Sequence, residues 1–100
     1  MSSPRTRPRL KSEIVAEIAR LVGADTPPMS TGSTEPKKIF VLVNERLGLG
    51  IDPSAHKVAA ARGIVEASGA TWQPDFDSRG ATVTTKGLIA VLDAVEFFVT

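Results

Sequence analysis

The chain has no cysteine, no tyrosine, one histidine and one tryptophan among its 100 residues. Without a thiol there can be no disulfide, no thiolate zinc site, no iron–sulfur cluster and no cysteine nucleophile. His56 is the only imidazole and has no acid or nucleophile at a telling spacing, so it reads as a surface or capping residue rather than a catalytic base. Long apolar runs are missing as well. The longest, 39–43 and 88–92, have five residues, against roughly 20 for a bilayer span, so no membrane partner is expected. The N-terminus is basic, but no apolar stretch of signal-peptide type follows it, and the expected address is cytoplasmic. No cofactor and no metal are expected, and the inventory points away from an enzyme.

What is present is the composition of a folded domain: 42% hydrophobic and 23% charged residues, too apolar for a disordered chain. The expected organisation is a flexible basic arm over 1–10 and a single helical domain over 11–100. The charge divides accordingly. Arg5, Arg7, Arg9 and Lys11 place +4 in the first eleven residues, leaving eight basic and eleven acidic residues, net −3, for the remainder. Arginine arms of this kind grip nucleic-acid backbones or the minor groove in several folds, and they are also common solvated ends.

Periodicity and punctuation predict four helices. The first runs from about Lys11 to Val22, with Ile14, Val15, Ile18, Leu21 and Val22 inward, and stops at Gly23. The second opens with Ser33 or Thr34 as N-cap and Pro36 near its first position, buries Ile39, Phe40, Val43 and Leu47, and closes at Gly48 to Gly50. The third follows Pro53-Ser54, runs to Ser68, packs Val58, Ala61, Ile64 and Val65, and stops at Gly69. The last spans Thr85 to about Phe98, with Leu88, Val91, Leu92, Val95 and Val99 on one face. Long polar loops separate the first pair and the last pair. In the second loop, the alternation Thr82-Val83-Thr84 allows one short extended segment near 81–84. The expected fold is all-α, four helices in two helix-loop-helix hairpins.

The two halves echo one another. Gly23 matches Gly69, Gly32 matches Gly80, Thr34 matches Thr82, and Lys38 matches Lys86. If this is a repeat, each half carries a hydroxyl-rich loop at a helix N-terminus followed within about a turn by lysine. Free N–H groups, a positive helix dipole and a cation together suit a phosphate. The candidate DNA-binding residues are therefore Ser33, Thr34, Lys37 and Lys38 in the first half and Arg79, Thr82 and Lys86 in the second, with the arm. Plain helix capping by the same hydroxyls is the competing explanation. Trp72 and Phe76 could stack on a base or fold inward to staple the loop. Burial is preferred, because a lone tryptophan in a small domain usually serves packing.

Asp75-Phe76-Asp77-Ser78-Arg79-Gly80 begins like a calcium loop, but Arg79 stands at its fifth position and Lys86 where the closing glutamate belongs. Two residues before Lys86 stands Thr84 rather than the carboxylate of a magnesium nuclease, and Gly32 has no second glycine before the lysines as a P-loop needs. The stretches Ser30-Thr31-Gly32-Ser33-Thr34-Glu35-Pro36 and Asp77-Ser78-Arg79-Gly80-Ala81-Thr82-Val83-Thr84, each ahead of a helix, resemble small helical modules that accompany nuclease domains in bacterial restriction enzymes. The resemblance covers most of 12–99 and implies a DNA-binding or target-recognition role, without a catalytic centre.

The expected function is thus a non-enzymatic DNA-binding module, with specificity read by the loop from Trp72 to Arg79. The alternative is a protein-interaction or assembly domain. Its last helix ends Phe97-Phe98-Val99-Thr100, aromatics that must either tuck into the core or meet a protein partner, a second copy of the chain, or a further segment.

Overall fold

Four amphipathic segments must hide their apolar stripes, and they do so against one another. A computed structural model describes residues 11–23, 35–52, 54–79 and 82–99. The order is α1 (Lys11–Leu21), α2 (Glu35–Leu47), α3 (Lys57–Ala67), a 3-10 turn (Pro74–Phe76), β1 (Asp77–Ser78), β2 (Thr82–Val83) and α4 (Thr85–Val99). Helix α1 packs on α2 and α4, and α3 packs on α2 and α4, so the helices form a closed ring of four. Phe40 of α2 is the largest fully buried side chain, with Ile14, Ile18, Ile64, Leu88 and Leu92 around the same core. This is the all-α domain expected, with one small sheet added.

The helix ends follow the glycines. Gly23 and Gly69, each just past a helix, have φ of +75° and +92°, a region an L side chain rarely enters. Between α2 and α3 the connection is fixed by Asn44, a nearly buried side chain whose amide makes both available bonds to one residue. Its Nδ2 donates to the Ile51 carbonyl at 2.7 Å and its Oδ1 accepts from the Ile51 N–H at 2.8 Å. Buried backbone groups away from a helix need such partners.

Helix α3 starts later than expected, at Lys57 instead of directly after Pro53-Ser54. Asp52 holds Ser54 and Ala55 outside the helix: its Oδ1 accepts from the Ser54 N–H at 2.9 Å and from the Ser54 hydroxyl at 2.8 Å, and its carbonyl accepts from the Ala55 N–H. His56 then caps the helix, Nδ1 accepting from the Val58 N–H at 3.3 Å.

Three further expectations are corrected. Leu21, Leu47 and Val58 are half-buried at the edges of the core rather than inside it. Val99, expected on the inner face, is 40% exposed: α4 has fifteen residues and the α1 and α3 helices on which it packs have eleven, so its last turn has less to lie against. The extended segment expected near 81–84 is present as β2, and it has a partner in a stretch expected to be loop. Antiparallel β1 pairs Asp77 with Val83 and Ser78 with Thr82, because a strand's backbone groups need a ladder.

Candidate functional site

Helix α4 begins under a clasp built by residues 72–79 and 82–84. Thr84 is the N-cap: its hydroxyl accepts from the Gly87 N–H at 3.2 Å and donates to the Asp75 carbonyl at 2.8 Å, while its own N–H donates to the Phe76 carbonyl at 2.9 Å. Trp72 is half-buried, set edge-on to Phe76 with ring centroids 5.2 Å apart at 85°, and its indole N–H donates to Asp77 at 2.8 Å. It packs against the core, so the ring that was a candidate for stacking on a base lies inward.

Of the other candidates, some lie outside the described residues and one is already partnered. Arg5, Arg7, Arg9, Ser33, Thr34 and the side chain of Lys37 lie outside the described residues. Lys38, on α2, is exposed. Lys86, on the first turn of α4, is bound at 3.1 Å to Asp75. Arg79 follows β1 with its side chain exposed and a left-handed φ of 53°, and Thr82 is exposed on β2. Thr82, which matched Thr34, thus stands in a strand, and the cap of α4 is Thr84. Thr34, the counterpart of Thr82 in the first half, lies outside the described residues. Elsewhere Arg62 pairs with Glu66 at 3.2 Å and Arg20 with Glu17, whose carboxylate holds the guanidinium above its usual value. Asp52 is held below the ordinary aspartate value, first by the Ser54 backbone N–H and then by its hydroxyl.

An apolar depression lies beside α4. It encloses about 340 Å³ between the C-terminal end of α3 and α4, with Val65, Ala90 and Ala94 offering small or flat apolar surface, Ser68, Thr71 and Asp93 a polar margin, and Phe76 and Phe97 aromatic walls. Phe97 is 65% exposed and stands edge-on to the half-buried Phe98. Neither Ala90 nor Ala94 was singled out from the sequence. The available signal was their spacing from Phe97, seven and three residues, which puts small side chains on the same flank of the helix. Asp75 and Asp77, the partners of Lys86 and Trp72, carried no signal beyond proximity in the chain.

Among the described residues no group of acidic or histidine side chains could hold a metal ion, no buried side-chain polar atom lacks a partner, and no helix is long and apolar enough to cross a membrane. No family model matches the chain, and neither a curated protein nor a solved structure matches it.

Proposed function

We propose that this is a cytoplasmic, non-enzymatic protein-interaction domain that binds through the depression beside α4. The observation that carries the reading is Phe97, a large aromatic 65% exposed at the wall of an apolar groove of about 340 Å³. An aromatic side chain on the surface beside an apolar hollow gains from burial by a partner, which is how interface anchors work. The test is a displayed-peptide selection against the immobilised domain, with binders titrated against Phe97→Asp. Binding should fall at least tenfold, roughly the 1.4 kcal/mol or more expected of an anchor. Equal binding to both forms would sink the reading.

A second reading, DNA binding, is favoured by one observation: exposed Arg79 is held in a left-handed conformation that non-glycine residues seldom adopt, a form of strain that gathers at functional sites. The resemblance to helical modules of restriction enzymes and the basic arm point the same way. Capping of α4 by Thr84 and the Lys86–Asp75 pair weaken it, since both use groups a phosphate would want. Anisotropy with duplex DNA at low and moderate salt decides: binding at low salt that drops for alanine at Lys38, Arg79 and Lys86 would support it, and none at low salt would end it.

A further inference from the structure

No further inference is drawn: the strongest candidate, the apolar depression between the C-terminal end of α3 and α4 with exposed Phe97 at its wall, belongs to the site already described, and nothing in the structure shows what covers it.

Discussion

Gly87 lies so close to Phe76 that a Cβ built on it would stand 2.1 Å from the Phe76 carbonyl oxygen and 2.8 Å from Cγ1 of Val83. A backbone oxygen cannot swing aside as a side-chain tip can. The clasp over the start of α4, with the Thr84 cap and the Trp72–Phe76 stack, is built on this contact.

Gly87→Ala should therefore destabilise the domain by about 3 kcal/mol, the upper end for overpacking, although alanine in a helix interior ordinarily stabilises by about 1 kcal/mol over glycine. Gly63→Ala is the control. Its Cβ would meet only the Ile51 side chain, Cδ1 at 3.1 Å and Cγ1 at 3.2 Å, which can give by a few tenths of an ångström where a backbone oxygen cannot, so the helix gain and the crowding should nearly cancel. Thermal or urea unfolding of both variants checks the contrast; equal effects would mean that the Phe76 contact is not close.

The difference between those two glycines was invisible in the sequence, where both are breaks in a helical pattern. The same limit runs through the molecule. The stripes of Ile14 and Ile18, of Phe40 and Val43, and of Leu88, Val91 and Val95 were legible because helix period and burial share one geometry. The strand Asp77–Ser78 was not, because two residues carry no alternation and its pairing depends on a partner four to six residues away. The site divides likewise: the apolar end at Phe97 is local and was read, whereas the hollow beside it needs α3 and the Phe76 turn brought against α4, which no periodicity states.

Asn44 holds both polar groups of Ile51, so Asn44→Ala leaves a part-buried N–H and C=O without their partner. A loss of about 2–3 kcal/mol in denaturant unfolding is expected. Asn44→Asp should not rescue it, since a carboxylate can accept from the Ile51 N–H but faces the Ile51 carbonyl with a second oxygen. An aspartate as stable as the wild type would show that the clip is unimportant.

Acid should act at the turn before α3. Asp52 titrates below its ordinary 3.8 because Ser54 donates to the ionised form through its backbone N–H and its hydroxyl. A depressed folded value means that the contribution is fully present above the unfolded value and is lost as pH falls through the folded one. The window is thus below pH 3.8. Carboxyl NMR should place the Asp52 midpoint under that of a free aspartate, and Ser54→Ala should move it upward. A midpoint unchanged by Ser54→Ala would remove the hydroxyl from the explanation.

Arg79 holds φ at +53° with a Cβ, and that conformation costs a non-glycine residue roughly 1–2 kcal/mol. Arg79→Gly releases the strain but adds unfolded-chain entropy of about 0.4–1 kcal/mol, so a net gain near 0.5 kcal/mol is expected in thermal unfolding. Arg79→Val should lose stability, because a β-branched residue tolerates this region worst. The functional consequence separates the two readings. If the hairpin touches DNA, the glycine variant is more stable and binds more weakly, with the salt slope reduced by about one; if the domain works through the α4 groove, the same variant keeps its partner affinity unchanged.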